Sequence, residues 1–273
     1  MQENLFWTPP VGPLGRLSAA AAERASVLRS RLDELKAKAR DAAPAPGFAS
    51  ALRRGAAVAV IAEIKRRSPS KGEINAGIRA GDRAALYEDA GACALSVLTE
   101  PSEFGGDVAD LVEVRRRVRI PILKKDFHVA DEQVWEGRAL GASAILFIAR
   151  ALAPGQLDAL VELALDIGIE PLVEVRNEEE LARAVATRAP VIGVNARDLE
   201  TLVIEPWVTE RVLPAIPTDR VRVAESGMTS PADVARAAAL GADAVLIGSS
   251  LSASAQPAAA MRALAGVARV AGA

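Results

Sequence analysis

The segment "ALGASAILFI" (residues 139–148) joins the end of a predicted helix to a short apolar strand. Two other segments resemble it, "DAGACALSVL" (residues 89–98) and "ALGADAVLIG" (residues 239–248). The third residue of each segment is a glycine, Gly91, Gly141 or Gly241, and the spacings between these glycines are multiples of a unit of roughly 25 residues. Glycine just after a helix relieves backbone strain, and a short apolar run is typical of a strand covered on both faces. The repeat therefore predicts helices that alternate with buried parallel strands.

Eight apolar runs of strand length occur along the chain, at residues 58–65, 92–98, 120–125, 143–148, 169–175, 191–195, 221–225 and 243–247. Segments with helical periodicity lie between them, and Asn177 and Ser230 are in positions to cap two of these helices. Eight β/α units in about 250 residues is the usual size of a closed (β/α)8 TIM barrel. A doubly wound nucleotide-binding sheet would carry G-x-G-x-x-G after its first strand, and this sequence does not. The sequence thus predicts an α/β fold of the TIM-barrel type.

An additional segment precedes the first barrel strand. Residues 17–41 are predicted to form one amphipathic helix, which the breaker "PAPG" (residues 44–47) ends. Its apolar stripe comprises Val27, Leu28, Leu32 and Leu35. We expect one barrel domain over residues 1–273, with residues 1–47 as an extension of helix and linker packed on the barrel. The extension could close the bottom, cover the mouth or contact a second subunit, and Phe6 and Trp7 are expected to anchor its tail.

The composition excludes several classes of function. The chain has 273 residues with a formal charge of −2, so it lacks the basic surplus that nucleic-acid binding requires. Its first residues lack the pattern of a secretory signal, and its longest apolar stretch contains Arg150 and is too short to span a bilayer. His128 is the only histidine, which gives little support to a histidine-based metal site. We expect a cytoplasmic monomer or weak homodimer without a metal, nucleic-acid or membrane partner.

Charged residues occur where predicted strands end. Glu63 and Lys65 lie two positions apart at the end of the first strand, so they point to the same side. Taken alone, they could equally form a structural ion pair or part of an active site. Four further strand ends carry polar groups: Lys124–Lys125–Asp126, Glu174, Asn195, and Glu225–Ser226. Because the active site of a TIM barrel lies at the carboxyl ends of its strands, this convergence favours acid–base catalysis.

The two adjacent lysines cannot both enter such a site. Neighbouring residues on a strand face opposite sides, so only one of Lys124 and Lys125 points into the barrel. We expect the other to extend outward between helices with its ammonium group in water.

Two small, donor-rich loops predict a phosphate site. Barrels often bind phosphate with the loops after strands seven and eight, and those loops here are "ESGM" (residues 225–228) and "IGSSL" (residues 247–251). Backbone N–H groups of Gly227, Gly248 and Ser249 could surround an anion there. The predicted substrate is a phosphate monoester.

Seven motifs, in order, resemble those of the indole-3-glycerol phosphate synthase family. They are "AEIKRRSPSKG" (residues 62–72), "LSVLTEPSEFGG" (95–106), "PILKKDF" (121–127), "LVEVRNEEEL" (172–181), "IGVNARDL" (192–199), "AESGM" (224–228) and "IGSSL". The resemblance covers nearly all of the chain from Leu17 onward. It implies a lyase of tryptophan biosynthesis that closes the ring of carboxyphenylamino-deoxyribulose phosphate, with loss of carbon dioxide and then of water. It implies no metal or organic cofactor.

The resemblance also implies roles for individual residues. Lys125 is expected to be the general acid in ring closure, Glu174 and Glu63 to handle protons in the dehydration, and Lys65 to lie near the substrate carboxylate. Phe104 and Phe127 match positions that surround the aromatic ring of the substrate. The remaining positions that match substrate-binding residues are Ser68, Asn195, Arg197, Glu225 and Ser226.

Two residues differ from the family pattern, and two alternative functions remain open. Lys124 stands where an uncharged residue is expected, and Ala196 replaces a frequent asparagine. A phosphoribosylanthranilate isomerase is a rival, but that chemistry uses a cysteine and aspartate pair, and Cys93 has no suitable partner in the sequence. The other rival is a barrel without catalytic activity that serves as a binding or scaffold subunit.

Overall fold

The computed structural model describes residues 8–270, and eight of its strands form a closed parallel barrel. The strands are β1 (Ala59–Ile64), β2 (Arg67–Ser68), β3 (Gly72–Glu73), β4 (Ala94–Leu98), β5 (Ile122–Lys125), β6 (Ala144–Ile148), β7 (Glu170–Val175), β8 (Val191–Asn195), β9 (Val221–Glu225) and β10 (Ala244–Ile247). The barrel runs from β1 through β4 to β10, and β10 closes it by pairing with β1. The predicted (β/α)8 fold is confirmed. Each barrel strand lies at its predicted place, with ends that differ by at most two residues because helix-to-strand turns occupy the first positions.

The helices alternate with the barrel strands as the repeat predicts. Three precede the barrel, α1 (Pro13–Arg29), α2 (Leu32–Asp41) and α3 (Phe48–Leu52). The others are α4 (Ala80–Asp89), α5 (Val108–Arg117), α6 (Asp131–Ala139), α7 (Pro154–Asp166), α8 (Glu178–Ala186), α9 (Pro206–Val212), α10 (Pro231–Ala239), α11 (Ser249–Ala253) and α12 (Pro257–Ala265). Asn177 and Ser230 cap α8 and α10 through their side chains, as predicted. The repeat glycines have φ values of +99°, +82° and +90°, which glycine adopts without strain.

The strands separate two layers of core, because successive side chains on a strand face opposite sides. Residues such as Ile61, Leu123 and Leu246 point into the barrel and pack together there. Their neighbours, such as Val60 and Ile122, point outward and pack against the helices. This alternation decides which side chains at each strand end reach the barrel interior.

The N-terminal extension differs from the single helix that the periodicity predicts. It forms α1 and α2, which meet at a break near Ser30, and Val27 of the predicted stripe is 70% exposed. The helical pattern does not show this break, because neither proline nor glycine marks it. Phe6 and Trp7, the predicted anchors of the tail, lie outside the described residues.

The extension contacts both ends of the barrel. At the mouth, Arg24 of α1 donates a hydrogen bond to Asp126, which follows β5. At the bottom, Phe48 and Leu52 of α3 join the apolar core inside the barrel. The backbone N–H groups of Phe48 and Ala49 donate to the carboxylate of Glu170 at the start of β7, at 2.7 and 2.8 Å. Within the predicted extension, residues 1–47, the part that the structure describes contacts the barrel mouth, while α3 closes the bottom.

A hairpin that the sequence patterns do not predict follows β1. Strands β2 and β3 pair antiparallel through Arg67 with Glu73 and Ser68 with Gly72. The hairpin places Ser68 at the mouth of the barrel.

Across residues 8–270, no helix combines the length and apolar character needed to cross a bilayer.

Candidate active site

A cavity of about 170 Å³ opens at the carboxyl end of the barrel. Each of the fourteen residues predicted to form the site lines it: Glu63, Lys65, Ser68, Phe104, Lys125, Phe127, Glu174, Asn195, Arg197, Glu225, Ser226, Gly227, Gly248 and Ser249. They come from seven of the eight β/α units, so only the closed barrel brings them together.

Lys125 occupies the centre of the cavity between two carboxylates. Its Nζ lies 3.3 Å from Glu174 Oε2 and 3.2 Å from Glu225 Oε2. Burial alone would lower the pKa of Lys125, but the charges of Glu225, Glu174 and Glu63 outweigh it and raise this pKa above its ordinary value. The ammonium group is therefore charged at neutral pH. Burial in a pocket is expected to shift the pKa of a lysine toward neutrality. For Lys125 the two adjacent carboxylates reverse the direction of this pKa shift.

Glu225 is the group whose pKa does move toward neutrality. Burial raises the pKa of Glu225 to about 7, against the opposing effect of Lys125. One carboxylate oxygen, Oε2, contacts Lys125, while Oε1 is buried and has no hydrogen-bond partner among the described residues. Because an unpaired buried carboxylate oxygen is costly, Oε1 is a candidate acceptor for a substrate hydroxyl or N–H group.

Lys124 lies on the other side of the barrel wall. Its Nζ is 3.0 Å from Glu136 Oε2 on α6 and 3.2 Å from His128 Nε2. The side chain is 1% exposed, so the expectation that it extends to water is wrong. A buried ion pair with Glu136 replaces hydration. Burial, together with the charge of Lys124, lowers the pKa of His128, which keeps the imidazole neutral and able to accept from the ammonium group.

Glu63 and Lys65 form a second charged pair at the end of β1. Lys65 Nζ lies 2.5 Å from Glu63 Oε1, and the Glu63 side chain is 1% exposed. The Lys65 ammonium group also lies 6.0 Å from the centroid of the Phe104 ring, which places it beside the aromatic part of the cavity. Both side chains point to the same side of the strand, as their spacing predicts.

A series of hydrogen bonds holds Glu174 through its second carboxylate oxygen, Oε1. Asn195 Nδ2 donates to Glu174 Oε1 at 3.0 Å, and Ser226 Oγ donates to Asn195 Oδ1 at 2.8 Å. The backbone N–H of Arg197 donates to the same Asn195 oxygen at 2.9 Å. Ser226 has a φ of +66°, a conformation that non-glycine residues rarely adopt. The strain is of the kind that clusters at functional sites, and it holds the serine hydroxyl toward Asn195.

Two glycines leave room for carboxylates of the cavity, and only one of them, Gly248, is among the predicted site residues. A methyl group on Gly248 would come within 2.2 Å of Glu63 Oε1. One on Gly193 would come equally close, 2.2 Å, to Glu225 Oε1. Gly193 lies in the middle of β8, and glycine in a strand interior is a known signal of a close approach. That signal could have identified Gly193 from the sequence.

Phe104 and Phe127 form an aromatic wall of the cavity. Their ring centroids are 6.3 Å apart and the rings are tilted by 40°. Two buried carboxylates stabilise the loops that carry these phenylalanines. Asp126 accepts from the N–H of Phe127 at 2.8 Å, and Glu100 accepts from the N–H of Phe104 at 3.2 Å.

Arg24 of α1 connects those two carboxylates, a role that the sequence patterns do not reveal. Its guanidinium lies 2.7 Å from Asp126 Oδ1 and 3.8 Å from Glu100 Oε1. The spacing of residues gives no signal for this contact, because 102 positions separate Arg24 from Asp126.

The predicted phosphate loops lie side by side at one edge of the cavity. The cavity lining there includes Gly227, Gly248 and Ser249. A hydrogen bond of 3.2 Å from Ser250 Oγ to the backbone oxygen of Met228 joins the two loops. Gly248 precedes α11, whose first N–H groups lack partners within the helix. The edge is therefore rich in N–H donors suited to an anion.

The arrangement as a whole is suited to moving protons. A charged lysine stands between carboxylates, a second lysine pairs with a third carboxylate, and an aromatic wall lies beside them. Among the described residues, no group of three His, Cys, Asp or Glu side chains has an arrangement that could hold a metal ion.

Comparison with known proteins agrees with this geometry. The family model for indole-3-glycerol phosphate synthase matches residues 16–264, which include the whole barrel and most of α1. The chain belongs to the indole-3-glycerol phosphate synthase family. It is 52% identical over 223 residues to indole-3-glycerol phosphate synthase 1 of Streptomyces coelicolor, a match that covers 82% of each chain. It is 48% identical over 220 residues to the indole-3-glycerol phosphate synthase of Opitutus terrae, covering 78% of this chain and 83% of that one.

Solved structures show the same fold outside the synthase family. A thiamine phosphate pyrophosphorylase of Pyrococcus furiosus matches with a TM-score of 0.58 and 14% identity, over 76% of this chain and 93% of that one. A mandelate oxidase variant matches with a TM-score of 0.54 and 18% identity, over 77% of this chain and 71% of that one. At such identities these matches show the barrel alone.

Proposed function

We propose that this protein is an indole-3-glycerol phosphate synthase, which converts carboxyphenylamino-deoxyribulose phosphate into indole-3-glycerol phosphate, carbon dioxide and water. Membership of the family supports the reaction. The observation that carries the proposal to this chain is the position of Lys125 between Glu174 and Glu225 at the centre of the cavity.

Lys125 is the general acid of ring closure. When the aromatic ring attacks the ketone of the substrate, the carbonyl oxygen becomes an alkoxide, which is far more basic than an amine. A lysine with a raised pKa therefore still donates its proton to that oxygen, while its charge stabilises the developing anion. Loss of carbon dioxide from the ring carbon that attacked the ketone then restores aromaticity.

Glu174 and Glu63 handle protons in the dehydration that follows. The hydroxyl group must leave as water, and a ring proton must be removed, so one group acts as acid and another as base. The carboxylates of Glu174 and Glu63 are buried on the lining of the same cavity. Lys65, paired with Glu63, supplies a positive charge for the substrate carboxylate.

The remaining lining residues bind and orient the substrate. Phe104 and Phe127 enclose the aromatic ring, and Asn195 and Ser226 hold Glu174 in place while facing the sugar chain. Arg197 is fixed by a bond from its Nη1 to the backbone oxygen of Leu202, at 2.7 Å. Ser68 and Glu225 also contact the substrate through buried oxygens that have no hydrogen-bond partner within residues 8–270.

The phosphate group binds at the edge formed by Gly227, Gly248 and Ser249. The N–H groups there converge from two neighbouring loops, and backbone donors bind phosphate without the entropy loss of a long side chain. Inorganic phosphate should therefore compete with the substrate.

The decisive experiment measures indole fluorescence after the purified protein is mixed with carboxyphenylamino-deoxyribulose phosphate. The wild type should form product, and Lys125→Met should bind the substrate without turnover, which also excludes a contaminating activity. If a folded wild type bound the substrate and formed no product, the chain would be a binding or scaffold subunit instead.

The substrate also bears on location and assembly. A phosphate monoester does not cross membranes freely, so the proposal places the enzyme in the cytoplasm. For the assembly we propose a monomer or a weak homodimer, in which residues 1–47 fold with the barrel as one domain. Sedimentation at micromolar concentration tests the assembly.

A further inference from the structure

A second cavity, of about 180 Å³, adjoins the first. Glu174, Asn195 and Arg197 line both cavities, so the Glu174 carboxylate lies in the wall between them. Leu14 of α1 covers part of the second cavity. Its half-exposed lining residues, Asp198 and Glu200 among them, connect it with solvent.

The second cavity is suited to water. Three arginines and four carboxylates line it: Arg150, Arg176, Arg197, Glu174, Glu180, Asp198 and Glu200. A buried water needs two to four polar partners and a volume of roughly 10–15 Å³ by this measure. The cavity meets both conditions for several water molecules.

Glu180 is, with Glu174, one of two buried carboxylates that line this cavity, at 7% exposure. It is fixed at the start of α8, where it accepts the N–H of Arg176 at 2.8 Å and the amide of Asn177 at 3.0 Å. Each of its oxygens takes one of these bonds, which leaves a lone pair on each for water.

Charged groups from three elements face Glu180. Glu174 lies on β7, Arg150 in the turn after β6, and Arg183 on α8 itself. Burial raises the pKa of Glu180, and the charge of Glu174 raises it further, against hydrogen bonds from Arg176 and Asn177 and the charge of Arg150. The balance of these effects leaves the pKa of Glu180 above its ordinary value.

The first cavity cannot easily exchange protons during turnover, because bound substrate fills it. Glu174 must nevertheless return to its starting protonation state after each dehydration. Glu174 also lines the second cavity, where hydrogen bonds hold Glu180 in a fixed position.

We propose that Glu180 relays protons between Glu174 and solvent through water in the second cavity while substrate occupies the first. The relay rests on the proposed function, in which Glu174 handles a proton. The Glu174 carboxyl group gives its proton to a water, which passes one of its own to the Glu180 carboxylate, and Glu180 releases it to solvent. Each transfer breaks one O–H bond and forms another, and the reverse sequence delivers a proton. Glu180 acts only through Glu174 and does not touch the substrate.

Glu180→Gln tests the relay, because glutamine can still accept the N–H of Arg176 through its one amide oxygen but cannot carry the proton. Glu179→Gln is the matched control: it removes the same charge one residue away on the same turn, where the side chain is exposed. We expect Glu180→Gln to lower kcat roughly tenfold with KM almost unchanged. Added formate, a carboxylate small enough for the cavity, should restore kcat in a saturable way. Glu179→Gln should behave as the wild type with or without formate.

The kinetic outcomes distinguish a proton relay from helix capping by Glu180. Equal kcat for both variants, or a loss in Glu180→Gln that formate does not restore, would assign Glu180 to helix capping alone.

If circular dichroism shows that Glu180→Gln is unfolded, single-turnover product formation by the wild type in mixtures of H2O and D2O tests the relay instead. A curved dependence of the single-turnover rate on the deuterium fraction indicates that several protons move together and supports the relay. A linear dependence overturns it. A wild type that forms no product overturns the proposed function itself, whereas an active wild type with an unchanged Glu180→Gln overturns the relay alone.

Discussion

Lys124 and Lys125 are adjacent in sequence, and their ammonium groups lie on opposite sides of the barrel wall. Lys125 contacts Glu174 and Glu225 inside the barrel, while Lys124 contacts Glu136 on α6 outside it. Leu123 and Ile122, the preceding residues, show the same alternation, with Leu123 in the inner core and Ile122 in the outer one. The pleat of one strand thus places one lysine inside the cavity and the other among the helices.

Substitution of each lysine by methionine should separate these roles. Lys125→Met should lower kcat by at least about 100-fold, because the proposed acid at the substrate carbonyl is lost. Lys124→Met should retain most of kcat but destabilise the fold by about 3 kcal/mol, because the partly buried carboxylate of Glu136, 14% exposed, loses its buried ammonium partner. Product fluorescence and urea unfolding measure the two effects. The opposite pattern would mean that the strand register is wrong.

Arg24 should affect substrate affinity from outside the cavity. Arg24→Gln removes the cation between Asp126 and Glu100, whose repulsion then displaces the loops that carry Phe104 and Phe127. We expect KM to rise roughly tenfold, equivalent to about 1.4 kcal/mol of binding. Steady-state kinetics with the synthase substrate measure it.

Arg29→Gln is the control for Arg24. Arg29 lies on the same helix and pairs with Glu132 at 2.7 Å, outside the cavity lining. Its KM should stay at the wild-type value. An equal rise in both variants would assign the effect to the attachment of α1 rather than to the aromatic wall.

Gly193→Ala should inactivate the enzyme without unfolding it. The new methyl group would overlap with Glu225 Oε1 and push that carboxylate away from Lys125. A displacement of about 1 Å at a reacting group can cost roughly 100-fold in rate, and we expect a loss of that size. Gly155→Ala, on α7 with open space around it, should leave the rate unchanged. A fully active Gly193→Ala would show that Glu225 is not needed in its observed position.

Stability should depend on pH through Glu225. Its pKa is raised from an ordinary 4.5 to about 7 in the folded protein, so the folded state binds the proton more tightly than the unfolded chain. The free energy of unfolding should therefore fall as pH rises from 4.5 to 7, and Glu225→Gln should remove this contribution. Urea unfolding at a series of pH values measures both profiles.

The difference between the two profiles isolates Glu225. His128, whose pKa is lowered by burial, contributes with the opposite sign in the same range, but equally to both proteins. Parallel profiles for wild type and Glu225→Gln would contradict the raised pKa.

Much of the site could be predicted because the relevant signals are local. Glu63 and Lys65 stand two apart on a strand, and a period of two places them on one side whatever surrounds them. The repeat glycines end helices, and the apolar runs after them form strands. Neither inference needs knowledge of distant residues. The break between α1 and α2 could not be predicted in this way, because no residue near Ser30 carries a strong signal for it.

Hydrophobic period and turn chemistry act over a few residues, so local signals in the sequence predict the barrel and the residues at the carboxyl ends of its strands. Which charges meet depends on the closed fold. It set Lys125 between carboxylates from β7 and β9, buried Lys124 against Glu136, and placed Arg24 beside Asp126. Those contacts join residues far apart in the chain, and the pKa values of Lys125 and Glu225 follow from the balance of burial and charge that the closed barrel creates.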